Sequence, residues 1–186
     1  MQNRPGCGIK EALIKPIYSF SPIVAPYAKI LVLGSIPGAA SLKARQYYAH
    51  PRNAFWPVFS QLLGFDPGLP YGMRLLALQS AKIALWDVAY SCQRQGSLDS
   101  EIKPGSVIPN DIVGLLRKHP TIKHIIFNGV AAESYFKRLI QPQLTCCLPA
   151  LHRLPSTSPA HASLSMKDKY TEWQTVLELL RKESSS

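Results

Sequence analysis

Short apolar runs, set apart by polar and helix-patterned stretches, give the chain its rhythm. Ile30-Leu31-Val32-Leu33 is continuous and partly β-branched, the pattern of a strand buried on both faces, and Gly34-Ser35-Ile36-Pro37-Gly38 breaks it with two glycines and a proline. Residues 82–87 repeat the pattern, with Ile-Ala-Leu-Trp running into Asp87. Residues 121–127 repeat it again and close at Asn128-Gly129, and a fourth strand is predicted over 144–153. Between the strands, helical spacing covers 54–63, stopped by Gly64 and the Pro67-Gly68 pair, and also 70–79, 109–118 and 130–139. A final amphipathic helix is predicted over 166–181, with Trp173, Val176, Leu177 and Leu180 inward. Residues 18–28 read as an extended lead-in, because Pro22 and Pro26 break any helix, and 88–109 reads as a polar loop.

Residues 1–17 hold prolines, glycines and cations without period and are expected to form a flexible extension, which leaves 18–186 as a single domain. Strand and helix alternate through that domain. The pattern predicts an α/β fold: one three-layer α/β/α domain around a central, mostly parallel four-stranded sheet. There is no repeat or low-complexity tract.

In open α/β sheets ligands bind beyond the carboxyl ends of the strands, so the 34–38 loop is the first place to look for a site. The segment that follows is unusual. Tyr47, Tyr48, His50, Arg52, Asn53, Phe55 and Trp56 crowd rings, cations and a carboxamide together. Rings stack on bases, Arg pairs with phosphate, and an amide both donates and accepts at a base edge or a water. Trp56, Phe59 and Leu63 are explained as the core face of the helix. Tyr48, His50 and Asn53 precede the helix and are not.

Charge sharpens this picture. The 186 residues carry a formal net charge of +10, which points to a polyanionic partner. No Asp or Glu occurs between Glu11 and Asp66, between Asp111 and Glu133, or between Glu133 and Asp168. Those windows contain the 34–56 stretch, Asn128-Gly129 and the Ser/Pro-rich 154–160 segment, as a surface approaching phosphates requires.

Cys7, Cys92, Cys146 and Cys147 lack metal-ligand spacing and read as reduced, buried thiols. The five histidines show no ligand spacing on one helix face, so no metal and no cofactor are expected. Neither a membrane span nor a signal-peptide core is present, and a cytoplasmic setting is expected.

Gly34-Ser35-Ile36-Pro37-Gly38, together with Gln46 to Trp56 (Gln-Tyr-Tyr-Ala-His-Pro-Arg-Asn-Ala-Phe-Trp), resembles the uracil-DNA glycosylase superfamily, and most closely its hypoxanthine-DNA glycosylase branch. Phe127-Asn128-Gly129 and Leu154 to Ala160 fit the same pattern, so the resemblance runs from about Tyr18 to Leu180.

The resemblance implies a monomeric, monofunctional DNA-repair enzyme that flips a deaminated base, hypoxanthine by preference, out of DNA and hydrolyses its N-glycosidic bond. Asn53 then positions the water and is catalytic; the plain alternative is a helix cap. Tyr48 stacks on the flipped base or is a half-buried core tyrosine, and Asn128 reads the base edge or caps its loop. Gly34, Ser35 and Ile36 line the base pocket. His50 and Arg52 approach the DNA, His50 either gripping phosphate or bracing its loop, and Ser156, Thr157 and Ser158 belong to a loop that enters the minor groove.

This sequence departs from the superfamily at two places. Ile36 stands where uracil- and mismatch-specific relatives carry Asp or Asn, and Leu154 stands where several carry His, with His152 and His161 out of register. A uracil or G:T/U mismatch glycosylase is therefore the second reading, and a non-catalytic nucleic-acid-binding protein of this fold the third. Asp87, the carboxylate at a strand's carboxyl end, is a general base if Asn53 is structural, or else turns the chain.

Overall fold

The computed structural model describes residues 15–145 and 148–184. Its centre is a sheet of four parallel strands, β2 (Ile30–Gly34), β3 (Ile83–Asp87), β6 (His124–Asn128) and β7 (Ala150–Leu154), in the order β3-β2-β6-β7. Every residue of β2 and β3 is buried, which accounts for their unbroken apolar runs: a strand covered on both faces has no polar side to show. Helices supply the cover. α2 (Phe55–Leu63) packs on α6 (Met166–Trp173), α3 (Tyr71–Ser80) on β3, and α5 (Val130–Leu139) on β6. Phe55, Phe59 and Trp173 meet in this core and are fully buried.

The strand ends are level with one another. Gly34 pairs with Asp87, Leu33 with Phe127, and Asn128 with Leu154, so four chain segments leave the sheet along one edge. α4 (Ile112–Lys118) begins at Asp111, whose carboxylate accepts the Gly114 N–H at 2.8 Å, as its predicted start requires.

Several expectations need correction. The 88–109 stretch is not simply a loop, for it contains β4 (Ala89–Gln93) and β5 (Ile108–Pro109). With β1 (Pro16–Tyr18) these form a second sheet, antiparallel, in the order β1-β4-β5. The polar composition of β4 concealed it. Pro16 and Ile17, assigned to the flexible extension, are the start of β1, and residues 1–14 lie outside the described residues. α1 (Ala39–Ala44) occupies what reads as a spacer; its Ala-rich sequence suits a helix, and Arg45 ends it in the left-handed conformation. The predicted 144–153 strand begins only at Ala150. The last helix is broken near Gln174, where the Thr175 hydroxyl bonds back to the Glu172 carbonyl, and continues as α7 (Thr175–Ser184), on which Leu179 is buried more deeply than Leu177 or Leu180. Of the cysteines, Cys92 is buried and free as expected, while Cys7, Cys146 and Cys147 lie outside the described residues.

Candidate active site at the strand ends

A cleft of about 740 Å³ opens beyond the level edge of the parallel sheet. Its walls are the 34–41 segment, residues 47–53, the 97–100 turn and the 156–161 loop, with Asp87 and Asn128 contributed by the sheet itself. All of the site residues named from sequence therefore converge, apart from differences in how each presents its side chain.

One wall is the 34–38 loop. The Ser35 hydroxyl bonds to Asp99 at 2.7 Å, and the Ala39 N–H reaches the Ser97 hydroxyl at 3.4 Å. Arg94 is only 6% exposed and pairs with no carboxylate in the described residues. Its guanidinium instead donates to the carbonyls of Pro37 (2.8 Å) and Gly96 (3.2 Å), lacing the loop to the turn. Ile36 faces inward at 7% exposure and packs in a small apolar cluster with Ala89, Cys92 and Ile102. A side chain so placed holds no water.

At the floor, Gly34 is required for space. A Cβ there would collide with the Asp87 carboxylate and lie 3.0 Å from the Tyr48 hydroxyl, so both polar groups converge over a bare backbone. Asp87 is 3% exposed. One carboxylate oxygen accepts the Ser19 hydroxyl at 2.9 Å, and the adjoining backbone is pinned by Asn110, whose amide donates to the carbonyls of Asp87 (2.9 Å) and Ala89 (3.1 Å). Burial, with a smaller contribution from the neighbouring Asp99, pushes the Asp87 carboxyl up to about 7 against the opposing influence of Ser19 and Arg94. The Asp99 carboxyl is raised too, again chiefly by burial. Acid-free windows in the sequence thus do not make an acid-free cleft, because the fold carries in two carboxylates from outside them.

Tyr48 has a left-handed backbone, φ 55°, uncommon for a residue with a bulky side chain. Its ring stacks on Phe55 with centroids 3.9 Å apart, and its buried hydroxyl, near the Asn128 amide, forms no well-aligned hydrogen bond among the described residues. One ring face is occupied by Phe55, and the side chain also lines the cleft.

The opposite wall combines the start of α2 with the 156–161 loop. The Asn53 carboxamide oxygen accepts the Phe55 N–H at 3.0 Å, closing a turn one residue ahead of Ala54, which is the N-cap of α2 and receives no side-chain cap. The Asn53 NH2 group and a second lone pair remain for the cleft. His50 braces the same turn: its Nδ1 accepts the Arg52 N–H at 3.1 Å and its carbonyl the Asn53 N–H at 2.8 Å. Arg52 is exposed at the rim.

Asn128 and Thr157 are matched at two points, at 2.8 Å each, and Thr157 is fully buried. Thr157 therefore presents no side chain to DNA, contrary to the expectation from sequence, and Asn128 keeps one N–H and one lone pair outside this pairing. Ser156 and Ser158 accept backbone N–H groups two residues ahead, at 3.2 Å each, and stiffen the loop. Gly129, at φ 95°, lets the loop come close, since a Cβ there would lie 2.8 Å from the Ser156 Cβ.

α6 secures this loop from behind. Trp173 donates to the Pro155 carbonyl at 3.0 Å. Lys169, 6% exposed, donates to the carbonyls of His161 (2.9 Å) and Ser158 (3.3 Å), with desolvation lowering its pKa. His161 lines the cleft, whereas His152 sits midway along β7 against His124, 3.2 Å away, and does not line it. Leu154 is buried. Sequence reasoning missed Arg94, Asp99 and Lys169. Only the Gly96-Ser97-Leu98-Asp99-Ser100 run hinted at a structured turn; a lysine on a polar helix gives no sign that it points inward.

The family model described as the uracil DNA glycosylase superfamily matches residues 21–181. The chain belongs to that superfamily. Among its relatives is a hypoxanthine DNA glycosylase of Methanosarcina barkeri, 38% identical over 62% of this chain and 73% of that protein. A hypoxanthine DNA glycosylase of Methanosarcina acetivorans is 34% identical over 84% of this chain and 95% of its own length. A solution NMR structure of a protein from Methanosarcina acetivorans, described as a candidate uracil DNA glycosylase, covers 90% of this chain and 99% of its own, at 32% identity and a TM-score of 0.74. Membership in the superfamily agrees with the α/β fold and with a cleft at the ends of parallel strands.

Proposed function

We propose that this protein is a monofunctional DNA glycosylase that releases hypoxanthine from DNA. The observation that carries the reading is the inward packing of Ile36 opposite a cleft-lining Asn53: position 36 offers no water-holding side chain, and the amide across the cleft does. The names of both curated relatives favour hypoxanthine as the substrate.

A flipped nucleotide enters between the two walls, and its base lies against the free face of Tyr48. Asn128 meets the base edge with its remaining donor and acceptor. Breaking the N-glycosidic bond places positive charge on the sugar and negative charge on the base, and a water held by Asn53 adds to the sugar carbon. Ser156 and Ser158 approach the phosphates on one side of the flipped nucleotide, and Arg52 on the other.

The test is base release from duplex and single-stranded oligonucleotides carrying one hypoxanthine, uracil, xanthine or mismatched thymine, with abasic sites revealed by hot alkali. Release of hypoxanthine that is lost in Asn53→Ala is the expected result. Preferential release of uracil would overturn the substrate assignment. DNA binding with no release from any substrate would overturn the enzymatic one.

A further inference from the structure

The departing base in that reading is a purine. It leaves with the bonding electrons on N9, and its ring nitrogens are basic enough for a proton delivered there to ease departure. Leu154, at the end of β7, is buried and offers a departing base neither charge nor hydrogen bond. The cleft floor holds a different group. Asp87 lies at the carboxyl end of β3, where its carboxylate and the Tyr48 hydroxyl both converge on the bare backbone of Gly34. One of its oxygens is engaged by Ser19. The other, nearest Gly34, has no hydrogen-bond partner among the described residues. The carboxyl is thus held by its far oxygen and by the Asn110-locked backbone, with the near oxygen directed over the floor.

We propose that Asp87 is the general acid of this site, passing its proton to a ring nitrogen of the departing purine as the glycosidic bond breaks. The inference rests on the glycosylase reading above. The C1′–N9 bond breaks with its electron pair passing to the base, the proton moves from the Asp87 near oxygen to the base, and water forms the new bond to C1′. The proton that this water sheds returns to the Asp87 carboxylate or to solvent. The products are neutral hypoxanthine and an abasic sugar, and no other reactant is needed.

The surroundings suit this role. Burial and Asp99 keep the carboxyl protonated to about 7, whereas Ser19 and Arg94 favour ionisation. Tyr47, Tyr48 and Tyr71 also face Asp87, and the phenols of all three are raised, so none of them competes as an acid near neutrality.

The experiment measures single-turnover release of hypoxanthine from a duplex between pH 5 and 9 for the unmodified protein, Asp87→Asn and Ser19→Ala. Binding to a duplex carrying a non-hydrolysable 2′-fluoro-deoxyinosine, and thermal unfolding, are followed in parallel. The unmodified rate is expected to fall as pH rises through about 7. Asp87→Asn keeps a hydrogen-bond donor but has no transferable proton. It should bind the analogue while losing about a hundredfold or more in rate, together with the alkaline fall. Ser19→Ala should move that fall to higher pH, because Ser19 no longer favours the carboxylate. An Asp87→Asn rate within a few-fold of the unmodified one, or a fall that Ser19→Ala leaves in place, overturns the proposal alone. No release by the unmodified protein overturns both the proposal and the reading it rests on.

Discussion

Asn128 and Thr157, 29 residues apart, close a two-point clamp in which the Asn128 amide donates to the Thr157 hydroxyl and accepts the Thr157 N–H, both at 2.8 Å. The clamp joins the end of β6 to the loop that borders the cleft. Because Thr157 is fully buried, truncating Asn128 strands a backbone N–H and a hydroxyl away from water. Asn128→Ala is expected to lower stability by about 2–4 kcal/mol, as measured by urea unfolding. Asn128→Asp, which keeps the acceptor, should retain part of that stability. Equal losses in the two variants would mean that the clamp's backbone half contributes nothing.

Tyr48 presents the opposite balance. Its hydroxyl is buried without a well-aligned partner among the described residues, so Tyr48→Phe removes a poorly satisfied group and keeps the stack on Phe55. The variant should be as stable as the unmodified protein or more so, by up to about 1 kcal/mol, yet release base more slowly if the hydroxyl serves the ligand. Thermal unfolding and a base-release assay on the same preparation separate the two effects. A destabilised variant would show that the hydroxyl is already satisfied in solution.

The Asp87 carboxyl also predicts how stability changes with pH. Its value is raised in the folded protein, from 3.8 to about 7, so the folded state holds this proton more tightly than the unfolded chain does. Stability from this group is complete below 3.8 and is lost as pH rises to about 7. The full difference is on the order of 4 kcal/mol. Urea unfolding at pH 5 and pH 8 should show the loss in the unmodified protein and a smaller one in Asp87→Asn. Parallel losses in the two proteins would assign the pH dependence to other groups.

Lys169 tests whether the 158–161 turn is held for binding. Replacing it with Met keeps the buried stem and removes the ammonium that ties the Ser158 and His161 carbonyls. DNA affinity is expected to fall about tenfold, equivalent to about 1.4 kcal/mol, with the fold retained. Fluorescence anisotropy at constant salt is the measurement, since affinity for DNA varies with ionic strength. Unchanged affinity would place the turn outside the DNA footprint.

The contrast between what the sequence disclosed and what it hid follows from contact range. Gly34, Asp87, Asn128 and their strands were legible because apolar runs and the glycine or polar residue that ends each run are neighbours in the chain. The same holds for Asn53, whose turn partner Phe55 is two residues away. Ser35 and Asp99 are 64 residues apart, and Arg94 and the Pro37 carbonyl 57. No local pattern records such pairs. β4 escaped for a related reason: its partners β1 and β5 are short and distant, so its Tyr-Ser-Cys-Gln sequence had no apolar alternation to betray it.

The Ala54 N–H donates to the Thr157 carbonyl at 2.9 Å, across the root of one wall. Asn53, the start of α2 and the 156–161 loop are thereby stitched into one body, much as Arg94 and Asp99 stitch the facing loop to its turn. A nucleotide arriving between them meets two jaws that folding has already set. Little freedom remains to be lost when DNA binds, so affinity and rate depend on how well the jaws fit the flipped base rather than on first ordering them.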